Sequence, residues 1–368
     1  MGTMNKNEML KIVEENISRL KNKEYTLYFY VLDTKGNPSN SLEYIYHTAL
    51  TLNKRGHKVV MLHQESEFVG VSNWLGEEYA SLPHMNIDKD NVEVSPSDFL
   101  FIPEIFANVM LQTRNLACKR VALVQNYSNI AEFMPISQTL ETLGIVDAIV
   151  TSEFQRDRLK VYFPNIRTHI VSPSTRKVFR NNISKPRKML VNIIAKEQSD
   201  ANRIVKPFYW RNPIYRWVSF KDLRGLPKDV MAEALIEAAI TIWVDDKTDF
   251  GLNLIEAIKC GGIVMGKVPE YITEWMIEDD NLTKSVLWFN DLDDIANLLP
   301  SVIRSWTKDE IPDEIYSNQE NIKNMFTEEI QTNEIIEAYE KNIIGKRLKD
   351  FEETKVEIEN KLNEENTD

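Results

Sequence analysis

Short apolar runs of strand length recur along this chain, most of them set apart by stretches with helical periodicity. In the first half they fall at 25–32, 58–62, 99–102, 120–124, 148–151 and 168–171. Continuous apolar runs of this kind suit strands buried on both faces, the situation in a parallel sheet covered by helices. The connections agree: a helix over 42–54, capped by Ser41 or Asn40 and ended by Gly56 as a left-handed cap, joins the first run to the second in a parallel crossover. An amphipathic helix over 7–20 leads in, and another over 153–163 lies between the last two runs.

The pattern restarts after a basic stretch. Residues 174–188 carry six cations, no carboxylate and one proline, which reads as an exposed linker, with attraction of a phosphorylated ligand as the functional alternative. Strands at 189–194, 217–220 and 240–244 follow, with a helix over 231–239 before the last. A chain of 368 residues exceeds what one core usually serves. We therefore expect an α/β protein of two Rossmann-like, doubly wound domains. The boundaries are 1–183, 184–318, a helix over 319–342 packing back on the first domain, and a charged helical or disordered tail over 343–368.

Charge and cysteine usage limit the partners. The formal net charge of −12 disfavours nucleic acid and broad attraction to anionic surfaces. Cys118 and Cys260 stand alone, without zinc-ligand or disulfide spacing, which fits a reducing cytoplasm. His47, His57, His63, His84 and His169 show no metal-ligand spacing either. No leader pattern or bilayer-length apolar run is present, so a cytoplasmic protein is expected, peripheral at the inner membrane face at most. In the tail, Ile344, Leu348, Phe351, Ile358 and Leu362 approach a 4-3 spacing, an amphipathic surface for a membrane or protein partner.

The chemistry concentrates after the strand at 240–244. A polar loop ends in Gly251, a helix over 252–259 follows, and Cys260-Gly261-Gly262 stops it. Ligands of open α/β sheets bind beyond the carboxyl ends of strands, where a helix N-terminus presents N–H donors and positive potential to phosphate. Glu256, one and a half turns in, is placed to accept hydrogen bonds from ribose hydroxyls, although a helical glutamate is more commonly solvated. Phe208, Tyr209, Trp210 and Trp217 are core residues on the plainest reading and a stacking platform for a base or sugar on the other.

The run from Thr248-Asp249-Phe250-Gly251 through Glu256-Ala257 to Gly261-Gly262 resembles the E-x-F-G-x-x-x-x-E-A-x-x-x-G-x-x-V signature of retaining GT-B glycosyltransferases, family 4 above all. More diffusely, 41–62 and 147–154 resemble that family's first helix with its G-H-x-V-x-V strand and its S-E-F turn. The resemblance implies two Rossmann-like domains facing across a cleft, a nucleotide-sugar donor (UDP- or GDP-sugar, a substrate rather than a cofactor) on the C-terminal domain, and a glycan or glycolipid acceptor on the N-terminal one. It implies ribose binding by Glu256, backbone approach to the diphosphate at Gly251, Leu252 and Asn253, and a basic clamp from Lys196 with Arg203 or Lys206.

Two positions depart from the signature. Thr248 stands where the first motif glutamate is expected, with Asp249 one residue off. Gln125-Asn126 stands where the family often has a histidine; these amides can bind a sugar hydroxyl but cannot transfer protons near neutrality. Glu104 is a further acceptor-side candidate or a capping carboxylate. No catalytic acid or base is assigned, since enzymes of this kind work mainly by positioning and charge stabilisation, and no metal is expected. The competing readings are a non-catalytic nucleotide-sugar sensor or partner subunit, and a GT-B epimerase or phosphorylase.

Overall fold

The computed structural model describes residues 5–180, 186–247 and 250–365. The chain forms two compact units. One comprises Met1–Thr151, Gln155–Val171 and Thr332–Asp368; the other comprises Ser152–Phe154 and Ser172–Gln331. The boundary expected between 183 and 184 lies outside the described residues.

The elements follow in chain order: α1 (Lys6–Lys21), β1 (Thr26–Tyr30), α2 (Asn40–Lys54), β2 (Lys58–His63), α3 (Glu77–Ala80), β3 (His84–Asn86), β4 (Phe99–Pro103), α4 (Ala107–Gln112), β5 (Lys119–Val124), α5 (Tyr127–Phe133), β6 (Asp147–Val150), α6 (Glu153–Tyr162) and β7 (Arg167–Ile170). All seven strands are parallel, in the order β3-β2-β1-β4-β5-β6-β7. Strand order reverses between β1 and β4, where Leu27 pairs with Val59 on one side and Phe99 on the other.

One capping assignment needs correction. Ser39, extended at φ −144°, is the residue whose side chain accepts from the Leu42 N–H at 3.4 Å; Asn40 and Ser41 are already helical. Gly56 does adopt a left-handed conformation, at φ 85°.

The second sheet is assembled from β8 (Lys188–Ala195), α7 (Gln198–Arg211), β9 (Ser219–Asp222), α8 (Lys228–Glu237), β10 (Ala238–Val244), α9 (Leu252–Cys260), β11 (Ile263–Lys267), a small hairpin of β12 (Ile277–Glu278) and β13 (Asn281–Leu282), and β14 (Leu287–Phe289). Its order is β14-β11-β10-β8-β9, again parallel, with the reversal between β8 and β10. Helix α10 (Leu292–Thr307) packs with α7 on one face of the sheet, while α8, α9 and α11 (Asp313–Lys323) cover the other.

The strand expected at 217–220 sits two residues later. The helix expected from 231 starts at Lys228, directly after Pro227, and yields to β10 at Ala238. The helix expected over 319–342 is interrupted: α11 ends at Lys323, and Phe326 has φ 54° before α12 (Glu328–Ile335) begins.

A wider π-helical turn over Ile336–Ile344 then leads into α13 (Gly345–Glu365). Ile335, Ala338, Tyr339, Ile343 and Ile344 complete the first unit's core beside Phe29 and Phe101. Among the described residues the tail is one continuous helix beyond this point, to Glu365. It lies along α1, and Lys355, which breaks the apolar spacing, pairs with Glu14 at 2.8 Å.

Candidate nucleotide-sugar site

Helix α9 begins beyond the carboxyl end of β10, beside the strand-order reversal of the second sheet. Its N-cap is Gly251 at φ 74°, a conformation costly for other residues. A Cβ at this position would stand 2.8 Å from Met276 Cε and 3.3 Å from the Trp275 ring. Trp275 donates its indole N–H to the Phe250 carbonyl at 2.7 Å, and the Phe250 ring meets Phe326 edge-on at 5.1 Å. The Phe-Gly pair is thus a packed support for the helix terminus. Thr248 and Asp249 lie outside the described residues.

Glu256 is buried, not solvated as a helical glutamate usually is. The Lys228 ammonium, on the first residue of α8, lies 2.6 Å from Glu256 Oε1 and 3.3 Å from Asn253 Oδ1. Asn253 and Glu256 are three residues apart and share a helix face, which brings one lysine to both. Withdrawing such a pair from water carries a large desolvation cost. Lys228 was not anticipated from sequence; only Pro227, a good helix opener, hints that the residue after it begins a helix.

One turn further, buried Lys259 donates to Thr175 Oγ1 at 2.7 Å and to the Met325 carbonyl at 2.5 Å. Burial pulls its pKa down to about 8, against the opposing pull of Glu256. The lysine ties α9 to the segments around 175 and 325.

The proposed clamp residues are less organised. Lys196 is exposed just past β8, where its charge opposes the upward shift that burial imposes on Asp245. Arg203 is exposed on α7 with Asp291 3.7 Å away, and Lys206 is exposed on the same helix. Asp246 is bound by Lys267 at the end of β11.

The basic run at 174–188 does not form an anion site among its described residues. Arg187 donates to the carbonyls of Leu235, Ile236 and Ala238 at 3.0, 3.1 and 2.8 Å and also to Cys260, closing the C-termini of α8 and α9. Lys188 pairs with Glu237 and Lys177 with Glu328. Arg187 is structural because helix ends here present carbonyls, which draw it inward.

On the first sheet, Glu104 follows β4 and is buried. It accepts from the backbone N–H groups of Gln125 and Asn126, at 3.2 and 3.1 Å, and from Asn129 Nδ2 at 2.9 Å. Burial raises its pKa, and these donors work against the rise. Glu104 therefore positions the β5–α5 loop. Asn126 caps α5 through the Ser128 N–H at 2.9 Å, and Gln125 donates to the Ser41 carbonyl at 3.2 Å.

His57 is a packing residue, with Nδ1 2.9 Å from the Tyr25 hydroxyl and Nε2 2.9 Å from Glu340. Among the described residues no group of three histidine, cysteine or carboxylate side chains could hold a metal, and no helix is long and apolar enough to cross a membrane.

No family model matches this chain, and no curated protein matches its sequence. Its fold nonetheless matches many solved structures. The pneumococcal O-GlcNAc transferase GtfA, solved with UDP and GlcNAc, aligns with TM-score 0.61 at 12% identity, over 88% of this chain and 99% of that one. A sucrose-phosphate synthase from Thermosynechococcus elongatus and a glycosyltransferase from Rickettsia africae each align with TM-score 0.58 at 12% identity, over 86% of this chain and 98% of theirs. The chain thus has the GT-B fold of glycosyltransferases, two Rossmann-like units each built on a parallel sheet.

Proposed function

We propose that the protein is a glycosyltransferase that takes a sugar from a UDP- or GDP-sugar. The observation that carries this reading is the buried Lys228–Glu256 pair under the glycine-capped N-terminus of α9. The Lys228 ammonium on one oxygen orients this carboxylate, the group that would meet the ribose hydroxyls. The first turn at Gly251, Leu252 and Asn253 presents the positive end of the helix dipole, which supports the diphosphate there. Lys196 and Arg203 add positive charge for the leaving nucleotide.

The acceptor, a glycan or glycolipid, belongs on the first unit at the carboxyl edge of its sheet, where Gln125 and Asn126 are held by Glu104. With amides in place of an acid or base, the protein contributes positioning and charge stabilisation, as in retaining, metal-independent transfer.

The second reading, a nucleotide-sugar sensor without transferase activity, is favoured by one observation: Thr248 occupies the place of the first signature glutamate. Thermal shift with a panel of UDP, GDP and their sugars tests the site. A donor that protects wild type but not Glu256→Gln supports it, and equal protection of both overturns it. Release of free sugar or a glycosylated product separates transferase from sensor.

A further inference from the structure

Residues 201–221 contain five cations, Arg203, Lys206, Arg211, Arg216 and Lys221, and no carboxylate, in a chain of net charge −12. The same stretch exposes three large apolar side chains, Trp210 at 74%, Ile214 at 79% and Trp217 at 57% of their full accessibility. Arg203, Lys206 and Trp210 recur at helical spacing along one face of α7. Trp210, Arg211, Ile214, Arg216 and Trp217 then follow through its C-terminus and the 3-10 turn at Pro213–Tyr215.

The exposure is built in. Phe208, ringed by Tyr209, Tyr215 and Phe220, is wholly buried, and the Tyr209 and Tyr215 hydroxyls donate to the carbonyls of Val218 (2.5 Å) and Pro300 (3.3 Å). These anchored rings fill the interior, so the tryptophans have nowhere to turn inward. The part of the patch from Trp210 to Trp217 also lies away from α9, whereas Arg203 stands near the carboxyl edge with Asp291. Helix α7 runs back along β8, so its C-terminus reaches the amino edge of the sheet, on the face opposite α8 and α9. A base-stacking role beside the donor is therefore not available to it.

We propose that this patch docks the protein on an anionic lipid surface. Tryptophan and isoleucine beside arginine suit the membrane interface, where an indole rests at headgroup depth and each cation is drawn by the surface potential. Among the described residues no carboxylate pairs with Lys206, Arg211 or Arg216; Arg211 is held by Asn297, and Arg203 is the cation that faces Asp291. The acidic first turn of α10 lies at the carboxyl edge, near Arg203 but away from Trp210, Ile214 and Trp217. Charge complementarity selects lipid phosphates over an acid-poor or neutral surface.

The test is co-sedimentation of the full chain with phosphatidylcholine vesicles, with and without phosphatidylglycerol. Wild type should bind the anionic vesicles and release them in high salt. Arg211→Gln with Arg216→Gln should weaken binding roughly 30-fold, at about 1 kcal/mol per cation. Trp210→Ala with Trp217→Ala should also weaken it, and because all four side chains are exposed, the variants should melt with wild type. Absent binding, equal binding to neutral vesicles, or undiminished binding by both variants overturns the proposal. So does a wild-type dimer in sedimentation velocity that the tryptophan variant abolishes, since the patch would then serve a second copy.

Discussion

Arg55 and Glu340, 285 residues apart, form a two-point ion pair, with Nε 2.6 Å from Oε1 and Nη2 2.9 Å from Oε2. His57 adds a third contact to the same carboxylate. Because a carboxylate only accepts, His57 Nε2 carries the proton and Nδ1 takes the Tyr25 hydroxyl. Glu340→Gln removes the charge that two donors share, and should lower stability by about 1–2 kcal/mol after allowance for partial exposure. A urea melt checks it; an unchanged midpoint would count against the latch.

The same contact sets an acid response. Arg55 is the main cause holding the Glu340 pKa down, at about 2, while burial lowers that of His57 and the Glu340 hydrogen bond only partly offsets it. Both groups bind protons more readily when unfolded, so their contribution is full above about pH 6.5. It falls first as His57 is driven toward protonation, then further between the ordinary carboxylate range and pH 2. The π-helical segment Ile336–Ile344, which carries Glu340, should lose amide-exchange protection in that order, and Arg55→Gln should move the Glu340 phase upward.

Asp147, buried at the start of β6, gathers two cations and a ring nitrogen: Lys119 at 2.6 Å, Arg167 at 2.8 Å and His169 at 3.2 Å. Burial alone would raise its pKa, but these partners hold it well below the usual carboxylate range. Replacing it with Asn strands the cations beside a neutral amide, an expected loss of about 3–5 kcal/mol. Denaturant unfolding of Asp147→Asn measures this, and a loss below that range would mean the cations find solvent.

Gly251→Ala combines a left-handed backbone with a clash against Met276. The strain is about 1–2 kcal/mol, felt where α9 begins. Nucleotide protection in thermal shift should therefore fall more than the melting temperature of the free protein. A proportionate fall in both would assign Gly251 to packing alone.

Tyr339 is wholly buried, and among the described residues its hydroxyl finds no hydrogen-bond partner. A buried unpaired hydroxyl costs about 1–3 kcal/mol, so Tyr339→Phe should leave the melting temperature unchanged or raise it. A marked fall would reveal a partner for the hydroxyl.

The parallel sheets were legible because their strands are continuous apolar runs, and α9 because glycines bracket it. Strands β3, β11 and β14 escaped notice. The first and last are three residues long, and only Gly261-Gly262 separate β11 from α9. At the candidate site the order Phe250-Gly251-Glu256 was readable, whereas Lys228 was not. A lysine opening a helix has an exposed surface as its default, and only the tertiary return of α8 against α9 buries it. Arg187 misled for the converse reason: a cation in a basic stretch reads as solvated until helix carbonyls are found around it.

The first unit's core is written in two distant parts of the chain, with Tyr339 and its neighbours supplied by the segment after 331. During vectorial synthesis the early strands must wait, incompletely covered, while the whole of the other unit is made. Residues 172–331, by contrast, close on themselves and should form a folded fragment when produced alone. A fragment of 1–171 should need the missing helix added back in trans, and recovery of cooperative melting on that addition would measure how much of the unit's order depends on it.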